Sequence, residues 1–445
     1  MPSLRAGERA KGFLVSLATL LVAGLSVPAV AAAWTAPVGL SGPGQDAAEP
    51  QLAVDGDGDA VFTWQRFDGT HNRIQARTRS AAGVLGAVQT LSPPGENASD
   101  PQVAVEADGD AVFTWTRFDG TSDRIQARAR SAAGTLSAVQ TLSDPGHNAS
   151  EPQVAVDAEG DAVFTWVRFD GVKHRIQART RSAAGVLTAV RTLSDPGQAA
   201  FAPQVAVDAG GDAVFTWQRP VPTSPSCCQR VQARARSAVG TLSEVENLSP
   251  SGQPASQPQV AVDADGDFVF TWTRFDGTHN RIQGRTRSAV GALSPVQTLS
   301  GVGRSAHSPQ VAVDTDGDAV FTWLRFDGNH YRAQARSRSS TGALSAAQTL
   351  SDSGQNASEA QVGVDSDGDA VFAWRRPDGT SDTCCSRAQA RARSAAGVLS
   401  AVQTLSDPTQ SASSPQIAVD ADGDALVTWS RSDGADIRIQ ASAGP

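Results

Sequence analysis

One motif recurs eight times along this chain, and its phase at the two ends constrains the fold more than any other feature. The unit reads close to PQVAVDADGDAVFTWxRFDGTxxRIQARTRSAAGVLSAVQTLSDPGQNASE. Its Pro-Gln opening stands at Pro50, Pro101, Pro152, Pro203, Pro258, Pro309 and Pro415, with Ala360 as the one variant. Successive units start 51, 51, 51, 55, 51, 51 and 55 residues apart, so the fourth and seventh are longer. A period of this length marks a solenoid, a propeller or an array of small modules.

Each unit divides into four strand-like pieces separated by turn signals. In the first unit, strand A is expected over Gln51 to Val54, followed by an Asp57-Gly58 turn. Strand B spans Ala60 to Phe67, rich in Val, Phe, Thr and Trp, all good strand formers. Asp68-Gly69 opens the next loop, strand C spans Arg73 to Ser80, and strand D spans Val84 to Leu91. No helical period appears in the repeat. The final unit stops after strand C, at Arg438 to Ala441, whereas Trp34 to Ser41 aligns with strand D and its loop. A linear solenoid would call for distinct caps. A ring would let the N-terminal strand complete the last blade and hide two sheet edges at once. The expectation is an all-β, eight-bladed propeller of four-stranded blades over residues 34–445. Strand A should be innermost, because its central position is small throughout: Ala53, Ala104, Ala155, Ala206, Ala261, Ala312, Gly363 and Ala418.

Residues 1–33 read as a secretory signal. A basic region ends at Lys11, an apolar stretch runs from Phe13 to Val27, and Ala31-Ala32-Ala33 offers small residues for cleavage before Trp34. An uncleaved anchor reaching Ala33 is the alternative reading of the same stretch. No second apolar span follows, so no membrane span is expected after cleavage, and the destination is extracellular or periplasmic. The formal net charge of the whole chain is −9. That balance argues against nucleic acid as a partner.

Units of the type PQVAVDxxGxAVxxW resemble the repeats of uncharacterised secreted bacterial β-propeller proteins. The resemblance covers Trp34 to the C-terminus and implies a fold and an exported location, but no activity. Two better-known patterns fail on spacing. The sialidase box SxDxGxTW has its Gly three residues before Trp, whereas Gly58 lies six before Trp64. The integrin-type calcium loop DxDxDGxxD is longer than Asp55-Gly56-Asp57-Gly58-Asp59.

Each candidate site has a structural reading beside the functional one. Asp55, Asp57 and Asp59 alternate as calcium ligands would, but calcium wants six to eight oxygens. The middle acid is Glu159 in the third unit and Gly210 in the fourth, so a hairpin turn is favoured and no cofactor is expected. Arg73, Arg77 and Arg79 share a strand face and could bind acidic glycans, yet Arg also suits pairs between blades. One Trp per unit, Trp64 to Trp429, could stack sugars, but mid-strand rings are usually core. Histidines one per blade do not converge as metal ligands must. Cys227-Cys228 and Cys384-Cys385 sit in the B–C loops of the two longer units. Blades three apart would separate those loops by about 25 Å, beyond the ~7 Å Cα reach of a disulfide. A vicinal bond within each loop is favoured over free thiols, metal ligation or intermolecular bonds.

Comparing the copies separates two faces. The A–B and C–D turns hardly vary. The B–C and D–A loops of the other face vary freely, through His71 and Asn72, Ser122 and Asp123, Lys173 and His174, His279 and Asn280, and His330 and Tyr331, with further changes at Phe201, Arg304 and His307. The leading expectation is therefore a non-catalytic binding or scaffolding protein that meets a glycan or an extracellular protein through the variable face. A propeller glycosidase or polysaccharide lyase is the alternative, and a purely structural cell-surface module a third. Near-identical blades offer few unique, converging acids, which weighs against catalysis. Oligomeric state is not set by any feature of the chain.

Overall fold

The computed structural model describes residues 33–220, 229–378, 385–432 and 434–444. These build eight antiparallel four-stranded sheets in a ring, an eight-bladed β-propeller, and no helix occurs among the described residues. In blade 1 the strands are A (Ala47–Val54), B (Ala60–Phe67), C (Asn72–Arg79) and D (Gln89–Thr90). Strand A of each blade lies beside strand A of the next, which makes it the inner strand. Val38 and Gly39 pair with Ala441 and Gln440, so the N-terminal segment supplies strand D of blade 8 and closes the ring.

Strand B carries the core. Alternation puts Phe62 and Trp64 against blade 8, beside Leu426 and Ile439, and puts Val61 against blade 2, beside Phe113 and Trp115. All eight repeat tryptophans are fully buried, so they fill the clefts between blades rather than forming platforms. Gly363 replaces the usual Ala because a Cβ there would come within 2.6 Å of Val419 Cγ2 in blade 8.

Two strand boundaries differ from the sequence expectation. Strand D is reduced to two paired residues, preceded by an isolated bridge between Arg79 and Leu85. Arg77 Nε takes the Gly86 carbonyl at 2.7 Å, which substitutes a side-chain tie for the missing ladder. Strand A instead extends upstream through a bulge between Ala48 and Gln51. The residue just ahead of the Pro-Gln position takes φ of 51° to 56° in every blade, although it is Glu49, Asp100, Glu151, Ala202, Gln257, Ser308, Glu359 or Ser414. A pre-proline residue ordinarily stays extended. Here the left-handed bend is held by the ring itself. Glu49 accepts the Asp100 N–H at 3.0 Å, Glu151 that of Ala202 at 2.8 Å, Gln257 that of Ser308 at 3.0 Å and Glu359 that of Ser414 at 2.6 Å.

The recurrent acids of the A–B turn have structural work. Asp55 Oδ1 accepts the N–H groups of Asp57 (3.1 Å) and Asp59 (2.9 Å), and Asp59 Oδ1 accepts the Ala81 N–H of the C–D turn at 2.8 Å. Gly58, at φ 81°, makes the left-handed corner between them.

Candidate binding face

The B–C and D–A loops meet on one face because they hydrogen-bond each other. The N–H groups of Asn72, Asp123 and Tyr331 donate to the side chains of Asn97, Asn148 and Asn356 at 2.8, 3.0 and 2.8 Å. Each regular B–C loop is capped by its own aspartate. Asp68 Oδ1 accepts the N–H groups of Thr70 (2.9 Å) and His71 (2.8 Å), and its Oδ2 pairs with Arg73 at 3.2 Å. Those donors hold the Asp68 carboxyl down at about 2. Asp119, Asp170, Asp276 and Asp327 do the same in blades 2, 3, 5 and 6, and their carboxyls are likewise depressed by the loop N–H groups. The loops thus present variable residues from one fixed frame.

On that frame the nominated residues fare differently. His71, Asn72, Asp123, His279 and Asn280 are half-exposed; Asn72, Asp123 and Asn280 stand opposite Phe67, Phe118 and Phe275, so each places a polar group where His174 and Tyr331 place a ring. Burial, with Asp100 and Asp119 nearby, raises the Asp123 carboxyl above its usual value. Ser122 is buried at 9% exposure and turns its N–H to Asp119, so it presents little to solvent. Lys173 is tied by its ammonium to the Gly197 carbonyl. Cys227, Cys228 and Cys384 lie outside the described residues. The Cys385 N–H donates to Ser411 Oγ at 2.8 Å, which fastens this end of the seventh B–C loop to the D–A connection.

Two of the nominated residues anchor aromatic clusters. In blade 3, His174 packs on Phe169 (ring centroids 5.3 Å apart) and on Phe201 (5.0 Å), and Phe169 meets His147 edge-on at 5.9 Å. In blade 6, Tyr331 packs on His307 at 4.8 Å and on Phe326 at 5.4 Å, with His330 beside it in the loop. Burial lowers the affinity of His307 for a proton, which favours its neutral ring. His147, Phe169 and Phe326 were not singled out from sequence. Phe169 and Phe326 belong to the near-constant end of strand B and look like scaffold. What distinguishes blades 3 and 6 is the aromatic residue directly opposite them on strand C, in the pairs Phe169–His174 and Phe326–Tyr331. A groove of about 620 Å³ lies between blades 3 and 4, lined by Asp170, Lys173, Arg175, Asp195 and Arg234 among others, and none of the cluster's rings lines it.

The arginine rows are largely committed to the scaffold. Arg66 Nη1 donates to the Gly42 carbonyl at 2.8 Å, Arg77 Nη1 to Leu40 at 3.1 Å, and Arg73 pairs with Asp68. Among the described residues no group of three or more His, Cys, Asp or Glu is placed to hold a metal ion. Asp55 and Asp59 spend carboxylate oxygens on backbone N–H groups, as above.

No family model and no curated protein matches the chain. Among solved structures, the WD40 domain of SCAP from fission yeast is similar over 92% of this chain and 98% of that one, at 10% identity and a TM-score of 0.50. The β-propeller domain of the Trilobed protease from Pyrococcus furiosus matches 82% of this chain and 96% of its own, at 9% identity and a TM-score of 0.48. An α-L-arabinofuranosidase from Fusarium graminearum matches 69% and 98%, at 13% identity and a TM-score of 0.41. At such identities the likeness speaks to the fold alone, and the fold it speaks to is the propeller.

Proposed function

We propose that this chain is an exported, non-catalytic binding propeller that engages a carbohydrate through the loop face. The observation that supports the reading is the pair of aromatic clusters around His174 and Tyr331, where a ring on strand C joins the strand-B phenylalanine that blades 1, 2 and 5 carry alone. Sugar rings offer apolar C–H faces, and amphipathic aromatic rings suit them while leaving polar edges wet. Two clusters on one rigid ring also suit a polymer, since linked weak sites add avidity. Export follows from the N-terminal signal pattern, and vicinal cystines at Cys227-Cys228 and Cys384-Cys385 would fit an oxidising compartment.

A glycan array followed by calorimetry on the best hit tests this. Saturable binding is expected, weakened at least tenfold, or about 1.4 kcal/mol, by His174→Ala or Tyr331→Ala. Release of product from any bound polysaccharide by the purified protein would replace the reading with a glycosidase or lyase. Binding to a protein with no glycan hit would refute the carbohydrate assignment.

A further inference from the structure

Four junctions between blades share one polar lock. The strand-D glutamine of one blade accepts from the last strand-C arginine of the next and donates to a carbonyl in the same C–D turn. Gln89 accepts from Arg130 Nε at 2.9 Å and donates to the Gly134 carbonyl at 2.9 Å. Gln140 does the same with Arg181 (2.9 Å) and Gly185 (2.8 Å), Gln297 with Arg338 (2.9 Å) and Gly342 (2.8 Å), and Gln348 with Arg393 (2.8 Å) and Gly397 (2.7 Å). Between blades 4 and 5 the acceptor is a glutamate, and Glu246 pairs with Arg287 Nε at 3.4 Å.

Between blades 3 and 4 the acceptor position holds Arg191, and it faces Arg236. Among the described residues no side chain or carbonyl accepts from either guanidinium. Both line a cleft of about 200 Å³, which also takes in Thr188 and Gly240. Arg191 is exposed where Gln89 and Gln140 are half-buried. Asp157, Asp161 and Asp212 act on Arg236, but acids act on the same arginine in regular blades too: Asp110 on Arg130, Glu106 on Arg181 and Asp369 on Arg393. The number of acids differs from junction to junction, one at Arg130, Arg181 and Arg393, two at Arg338 and three at Arg236. Arg191 replaces a neutral glutamine and so adds one positive charge to this junction, and no acid lines the cleft that it shares with Arg236.

We propose that Arg191 and Arg236 form an oxyanion-binding site in the cleft between blades 3 and 4, selective for a carboxylate or sulfate group. Each guanidinium presents a planar fork of N–H donors that matches two oxygens of such an anion. An anion seated between them takes the place that the glutamine amide fills elsewhere, and it accepts from both sides at once. This site is separate from the aromatic clusters and stands or falls without them.

The test is thermal unfolding of the full exported chain in sodium sulfate, with ionic strength held constant by sodium chloride. The wild type is expected to gain stability saturably with sulfate. Arg191→Gln installs the residue already present at four junctions, so it should fold, start with a higher Tm in sulfate-free buffer, and lose the saturable gain. Arg191→Glu, which copies the junction between blades 4 and 5, should behave alike. His174→Ala should leave the sulfate response intact, which separates this site from the glycan reading. An equal sulfate response in wild type and Arg191→Gln would overturn the proposal, and so would a wild type more stable than Arg191→Gln without sulfate. Calorimetry with a sulfated and a uronate oligosaccharide identifies the source. Binding to either that is at least tenfold tighter than inorganic sulfate, and sensitive to Arg191→Gln, assigns a polymer-borne group, and equal affinity assigns the free anion.

Discussion

The cleft between blades 2 and 3 and the cleft between blades 3 and 4 are built from equivalent strands, yet only the first is locked. Their apolar layers match. Trp166 packs with Val112, Ile125 and Leu142 in one, and Trp217 with Val163, Ile176 and Leu193 in the other. Their polar rims do not match, because Gln140 meets Arg181 whereas Arg191 meets Arg236. The apolar layer decides whether a blade stacks at all, since burial is non-directional and tolerates no cavity. The rim decides how tightly it closes, since hydrogen bonds are directional and like charges repel at short range. A repeat protein can therefore vary its rims, one junction at a time, without endangering the ring.

That division can be broken in order of size. Trp166→Ala and Trp217→Ala should each cost about 3–5 kcal/mol, with values close to one another, in chemical denaturation. A much smaller loss for Trp217→Ala would mean that the two junctions differ in their core as well as at the rim. Next, Gln140→Arg transplants the irregular rim to the regular junction. It removes two hydrogen bonds and faces two guanidiniums, for an expected loss of about 2–3 kcal/mol that sulfate partly restores. No loss on this exchange would make the lock ornamental. The smallest effect concerns Glu106, the one glutamate among the leading turn acids, set against the Gly160 turn of blade 3. Burial first, then Asp108, Asp110 and Asp157, raise its carboxyl to about 7. The folded state therefore holds this proton more tightly than the unfolded chain does. Stability should fall as pH rises from about 4.5 to about 7, and Glu106→Gln should remove that slope while matching wild type at low pH. Melting curves between pH 4 and pH 8 would show it, and parallel curves for the two proteins would exclude it.

Much of this molecule was legible in the residue pattern. Strand B is readable because Val, Phe, Thr and Trp recur in a strand-forming run between Asp-Gly turns. Closure is readable because Trp34 to Ser41 carries the strand-D pattern that the last unit lacks. The left-handed residue ahead of each Pro-Gln was not readable. Nothing marks Glu49 or Gln257 as candidates for positive φ, and the proline that follows most of them argues for extended backbone. The aromatic clusters were half readable. The variable His174 and Tyr331 stood out, but Phe169 and Phe326 opposite them did not, because five of the eight blades carry the same phenylalanine and it gives no sign of which blade sets a ring against it.

By itself, then, the sequence determined the repeat, the four-strand unit, the strand-B core and the ring. All of these rest on local periodicity and on burial, which act through residue type and spacing. Tertiary structure alone decided which arginines are spent on carbonyls and which are not. Arg130, Arg181 and Arg236 occupy the same place in nearly the same string, and only the residue across the cleft, some 41 to 45 positions earlier in the chain, distinguishes them. Hydrogen bonds and charge pairs depend on distance and angle between specific atoms, and those were set when the blades closed against each other.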